Sequence, residues 1–160
     1  MATGTTVIAH TELETEHLLD ITVALAPVQV VASPAGTRFI YVSQGGSVEG
    51  ERLRGEVLPG GGDWVLAGAD GIGRVDVRVT IKTDDGELVY MTSTGVIHLS
   101  QDKLEALGSG AHIRWDEAYI RTCPLFETGA VKYAWLNGTV TIAINELAPN
   151  RVYYRVYRIL

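Results

Sequence analysis

From Leu18 to Leu25 the chain alternates, with Leu19, Ile21, Val23 and Leu25 on one face and Asp20 and Thr22 on the other. That period of two is the mark of a half-buried strand. Arg74–Lys82 repeats it more cleanly: Val75, Val77, Val79 and Ile81 share a face, and Arg74, Asp76 and Arg78 share the opposite one. Thr83-Asp84-Asp85-Gly86 then predicts a hairpin, because an Asp-Gly pair supplies the positive φ of a tight turn, and Glu87–Thr94 is the return strand. Further strands are expected over Arg38–Ser43, Arg52–Leu58, Asp63–Ala67, Tyr119–Cys123, Lys132–Ile144 and Arg151–Leu160. A single helix is expected at Ser100–Leu107, capped by Ser100 and stopped by Gly108. At about two turns it must lean on the rest of the fold.

The stretch Gly45–Trp64 carries seven glycines and a proline among strand formers, which predicts glycine-rich hairpins and strongly bent strands. Short strands at hairpin spacing make the chain all-β, and closure removes the exposed edges that a long open sheet would leave. The expected architecture is a single antiparallel β-barrel over residues 14–160 with one short accessory helix, after a loose N-terminal segment, 1–13.

Charge changes the picture by exclusion. The net charge is −6 and the 13 basic residues are scattered, so no basic stripe is offered to nucleic acid or to an anionic membrane. No apolar run reaches the roughly 18–20 residues of a membrane span, and Met1–Thr6 lacks the pattern of a secretory leader. The lone Cys123 excludes an internal disulfide, and a reducing cytoplasm is the expected compartment.

The motifs that follow one another along the chain resemble a known family. They are Gly50, Arg54-Gly55-Glu56-Val57-Leu58-Pro59-Gly60-Gly61 with Asp63-Trp64, then Asp76-Val77-Arg78, Thr83-Asp84-Asp85-Gly86 and Gly95. Tyr119-Ile120-Arg121-Thr122, Pro124, Phe126-Glu127-Thr128-Gly129 and Tyr133-Ala134-Trp135-Leu136-Asn137 complete the series. In these residues the chain is similar to the domain of unknown function 3237 family over roughly 14–160. The resemblance implies an antiparallel barrel like that of allene oxide cyclase. Most members have no assigned activity, and a few resemble cofactor-free enzymes that close rings by adding a hydroxyl across an activated alkene. Cys123 stands where the family usually has a second threonine.

Candidate chemistry gathers on four segments. On Lys132–Ile144, read as a strand, Ala134, Leu136, Val140, Ile142 and Ile144 form a core face. Tyr133, Trp135 and Asn137 then form either the wall of a ligand pocket or a solvent or subunit surface. Arg78 with Asp76 reads either as a solvated charge pair or, given the family match, as a guanidinium held in a cavity for a substrate oxygen. Tyr119 and Arg121 share a face and could polarise a developing oxyanion, or could brace loop carbonyls. Asp63 beside Trp64 and Glu127 beside Phe126 are the general-base candidates, since an apolar neighbour raises a carboxyl pKa; an Asp in such a turn also serves the backbone.

His10, His17, His98 and His112 are widely spaced and form no metal motif, and they read as surface or loop residues. Cys123 reads as a buried structural thiol. The leading expectation is a cofactor-independent cyclase or isomerase acting on a small apolar oxygen-bearing metabolite. Asp63, Arg78, Tyr119, Arg121 and Glu127 would do its chemistry, and Trp64, Asp76, Tyr133, Trp135 and Asn137 would hold the substrate. No metal or cofactor is called for. A non-catalytic binding barrel and a structural oligomer are the alternatives, and a homodimer is the expected assembly.

Overall fold

The computed structural model describes residues 12–160. Ten strands run in antiparallel order: β1 Thr15–Leu25, β2 Gln29–Ser33, β3 Gly36–Gly50, β4 Arg54–Val57, β5 Gly62–Ala67, β6 Ile72–Thr83, β7 Leu88–His98, β8 Tyr119–Glu127, β9 Thr141–Ala148 and β10 Arg151–Ile159. β4 and β5 share one place in the wall: both lie between β3 and β6, β4 beside the end of β3 and β5 beside its start. With β1 paired to both β10 and β3 the sheet closes into an eight-strand antiparallel barrel. β2 continues the path of β1 along β3 and has no second neighbour among the described residues.

Closure depends on a close approach. At Gly46 a Cβ would stand 1.9 Å from the Thr22 carbonyl oxygen of β1, so only glycine lets β3 meet β1 there. β3 runs unbroken through Gly45-Gly46, with a register shift opposite Ala24–Leu25. The hairpin expected at that point is a bend within one long strand, because the ladder with β1 keeps both glycines paired.

The period-two readings of β1 and β6 match the structure: Leu19, Ile21, Val23 and Val75, Val77, Val79, Ile81 are all buried. Two expectations are corrected. Lys132–Ile144 is not one strand; Val131–Gly138 is a 3₁₀ helix and β9 starts only at Thr141. Tyr133 and Leu136, three residues apart and therefore on one side of a three-residue turn, are its buried residues. Cys123 is exposed on β8, because the inward places of that strand go to Ile120, Thr122, Pro124 and Phe126.

The helix, α1 Gln101–Gly108, lies one residue from its expected place, and Ser100 makes no side-chain capping bond. Of the segment expected to be loose, residues 1–11 lie outside the described residues; Glu12 and Leu13 are exposed. No helix among the described residues is long and apolar enough to cross a membrane.

The barrel has two unlike ends. The 3₁₀ helix closes one, where Tyr133 and Leu136 join Leu19, Val57, Ile81 and Phe126 in the hydrophobic core. At the other end the lumen is open beside α1, whose Leu104 and Leu107 line a cavity mouth.

Candidate functional site

Asp63 is the residue around which the open end is organised. β5 places it inward, and Gly62 before it lies so close to β3 that a Cβ would stand 2.3 Å from the Tyr41 carbonyl oxygen. That approach sets Asp63 directly across from Tyr41 on one side and Val77 on the other. Both neighbours, with Asp63, line a cavity of about 500 Å³ whose walls are otherwise mostly Val, Leu and Ile.

Burial drives the electrostatics here. It pushes the Asp63 carboxyl up from 3.8 to about 7, against the pull of the Asp76 backbone N–H, and the Asp76 charge adds to the rise. That N–H donates to Oδ1 at 3.0 Å. Desolvation of the charged form outweighs one hydrogen bond when no cation is near. Tyr41 and Tyr154, also on the cavity wall, have their phenols raised by burial and then by the charge of Asp63. They are held as neutral O–H groups.

Across the lumen, Tyr154 faces Asn145 in the β9–β10 ladder. Thr122 donates its hydroxyl to Asn145 Oδ1 at 3.0 Å, which leaves the amide Nδ2 as the donor for the lumen. The site therefore brings one weakly acidic carboxyl, two phenols and an amide together among mostly apolar walls, with Arg151 also on the lining. A carboxyl poised near neutrality beside neutral donors can take a proton from one atom and return it to another while a phenol or amide holds the oxygen between them.

Of the residues singled out in the sequence, only Asp63 lines this cavity. Arg78 and Asp76 lie on the outer face of β6, paired at 3.4 Å with both side chains about half exposed, because the aliphatic face of that strand fills the lumen. Trp64 alternates outward from Asp63, and its carbonyl accepts from Arg38 Nη1 at 2.7 Å. Tyr119 is exposed, and Arg121 lies over its ring at 5.0 Å while donating to the Ile120 carbonyl at 2.8 Å. Glu127 is exposed on the outside of β8.

Tyr133 is buried in the closed end and donates its hydroxyl to Asp85 Oδ1 at 2.8 Å. Trp135 is covered by the Arg52 guanidinium at 3.8 Å. Asn137 brackets Thr128, accepting from its N–H at 2.8 Å and donating to its carbonyl at 2.9 Å. These three residues belong to the 3₁₀ helix that plugs the closed end.

His17, His98 and His112 are exposed, and His10 lies outside the described residues. No group of three or more metal-ligating side chains occurs among the described residues. Tyr41, Asn145 and Tyr154 escaped the sequence reading, yet the last two left a trace. Tyr154 stands between Val152 and Val156, and Asn145 follows Thr141 and Ala143, each on one period-two face. A polar residue set alone in an apolar stripe marks a lumen contact.

The family model described as "Protein of unknown function (DUF3237)" matches residues 13–159, and the chain belongs to that family. A UPF0311 protein of Rhodopseudomonas palustris (strain TIE-1) is 31% identical over 149 residues, 92% of this chain and 97% of its own. The crystal structure of a conserved protein of unknown function from Rhodopseudomonas palustris superposes with a TM-score of 0.89 at 30% identity, covering 94% of this chain and 100% of that one. PR-toxin biosynthesis cluster protein 7 of Penicillium roqueforti is 32% identical over 101 residues, 61% of this chain and 54% of its own. An enzyme from Penicillium herquei has the same fold, with a TM-score of 0.69 at 22% identity over 96% of this chain and 98% of that one.

Proposed function

We propose that this barrel is a cofactor-independent cyclase or isomerase that adds a hydroxyl of its substrate across an activated alkene in the same molecule. The observation that carries the reading is Asp63: an aspartate with its carboxyl raised to about 7, beside Tyr41, Tyr154 and Asn145 in a mostly apolar cavity that Arg151 also lines. A carboxyl near the working pH is effective both as base and as acid. The relatives named for a biosynthesis cluster and as an enzyme support a catalytic use of the fold.

In this reading Asp63 takes the proton of the substrate hydroxyl as its oxygen bonds to the far carbon of the alkene. The π electrons move onto the conjugated carbonyl oxygen, which Tyr41, Tyr154 or Asn145 stabilises by hydrogen bonding. Asp63 then returns the proton to the near carbon. One C–O and one C–H bond form, one O–H and one π bond are lost, and the product is an isomer. The cavity contributes by holding hydroxyl and alkene in contact and by keeping water out.

The test is closure of 2′-hydroxychalcone to flavanone, followed by loss of the chalcone absorbance and by chiral chromatography. The wild-type chain is expected to accelerate closure with an enantiomeric excess, and Asp63→Asn to lose about 10²–10⁴-fold of that rate. Equal rates for the two proteins would overturn the role of Asp63. Saturable binding of the chalcone with no acceleration would make the chain a non-catalytic binding barrel.

A further inference from the structure

The donors on the cavity wall differ in where they stand and in how firmly they are aimed. β9 lies opposite β5 in the ring: β6, β7 and β8 separate the two one way, and β3, β1 and β10 the other. Asn145 on β9 and its ladder partner Tyr154 on β10 therefore face Asp63 across the cavity that all three line. Asn145 is 1% exposed and Tyr154 5%. Neither the Asn145 Nδ2 nor the Tyr154 hydroxyl has a hydrogen-bond partner among the described residues. Yet neither is sealed in, because Ser93 Oγ is the one fully buried side-chain atom there without a partner. Both donors thus keep an open side, and for residues so deeply set that side is the lumen. A leucine at 145 would pack the same wall without stranding an amide.

The amide is aimed from β8. Thr122, also on the cavity wall and 3% exposed, sits between Gly95 of β7 and Ala143 of β9. A Cβ at Gly95 would stand 2.9 Å from Thr122 Cγ2, so the threonine methyl takes the room that the glycine leaves. A β-branched side chain has little freedom at χ1. With the methyl held against β7, the hydroxyl is turned to β9, where it donates to Asn145 Oδ1. The acceptor of the amide is then occupied, and only its N–H donors are left for the lumen.

We propose that Thr122 is a positioning residue, which holds Asn145 so that its amide and the Tyr154 hydroxyl form a two-donor cradle for a carbonyl oxygen of the substrate. This rests on the cavity being the site of the proposed reaction. It says which donors serve the developing enolate: Asn145 with Tyr154, while Tyr41 stays beside Asp63. It also narrows the substrate class. Two donors suit an oxygen with two free lone pairs and no hydrogen of its own. The substrate therefore presents a ketone or ester carbonyl to β9 and β10, and its hydroxyl to Asp63.

The test uses chalcone labelled with carbon-13 at its carbonyl, which lacks the hydroxyl needed for closure and so binds without reacting. A carbonyl carbon moves downfield in the NMR spectrum as its oxygen accepts hydrogen bonds. Bound to wild type, the signal is expected downfield of its position in an aprotic solvent. Thr122→Val, which keeps the shape and drops the hydroxyl, should lose most of that shift, and Thr122→Ser should recover it. A merely structural Thr122 would lower the melting temperature and leave the signal of the folded protein where it is. With 2′-hydroxychalcone, Thr122→Val should lower kcat about tenfold at nearly constant KM, and Asn145→Ala by about 10²–10³-fold. A downfield signal that persists in Thr122→Val, or is absent from bound wild type, overturns the assignment while leaving the cavity as the ligand site. If the chalcone series behaves as expected but 2′-hydroxychalcone is not closed, the cradle stands and the proposed reaction falls. If chalcone does not bind wild type, the cavity fails as the site and the assignment falls with it.

Discussion

Asp85 and Asp63 stand at opposite ends of the same barrel and have opposite electrostatic fates. At the closed end Asp85 receives hydrogen bonds from Lys132, Thr83 and Tyr133, and these hold its carboxyl well below the usual range. At the open end Asp63 has one backbone N–H and no cation among the groups that act on it, its surroundings are mostly apolar, and its carboxyl is raised to about 7. The closed end spends its polar groups on each other and so is built for stability. The open end leaves them unspent, which costs stability and leaves a reactive group.

The largest effect expected from breaking this contrast comes from Asp63→Asn. It removes the proposed base, with the rate loss given above, yet keeps an Oδ1 acceptor for the Asp76 N–H. It should also stabilise the fold at alkaline pH. A folded pKa raised from 3.8 to about 7 means that the contribution of Asp63 is fully present below about pH 4 and lost as pH climbs through 7. The loss amounts to about 4 kcal/mol at most. Denaturant unfolding at pH 5 and pH 8 should therefore show wild type weakening between them and Asp63→Asn holding level.

Next in size is Leu136→Ala, which opens a void in the plug. About 2–5 kcal/mol of stability should disappear in the same assay, with turnover per folded molecule unchanged. Tyr133→Phe deletes only the hydroxyl given to Asp85 and should cost about 1 kcal/mol. It also sharpens the pH contrast. Asp85 has a depressed carboxyl, so its contribution is present above about pH 4 and fades as pH falls further; acid unfolding of Tyr133→Phe should begin at higher pH than that of wild type. Smallest of all is Arg78→Ala, where an exposed pair is lost: a change within about 0.5 kcal/mol and no loss of turnover. A large loss of turnover in that variant would return the outer face of β6 to the site.

The barrel was legible in the sequence wherever one face of a strand had to be dry. The alternation of Val75 to Ile81 and the Asp85-Gly86 turn leave little freedom in β6 and β7. The site was less legible because period two separates two faces without saying which one looks inward. Arg74, Asp76 and Arg78 form an orderly charged row, and in a barrel this narrow such a row belongs outside. The plug was hidden for a different reason: Tyr133-Ala134-Trp135-Leu136 alternates as a strand would, and only the spacing of Tyr133 and Leu136, between Gly129 and Gly138, hints at a turn of three. Asp63 was legible because its neighbours on either side, Gly62 and Trp64, mark a tight, apolar place.

The plug has a kinetic consequence. With Tyr133 and Leu136 stopping one end of the lumen, the described residues leave the barrel one door, beside Leu104 and Leu107. Whatever enters head first leaves tail first, and the spent molecule must clear the doorway before the next arrives. Under the proposed reaction, turnover in such a cul-de-sac would be strictly one in, one out, with accumulating product competing with substrate for the same threshold.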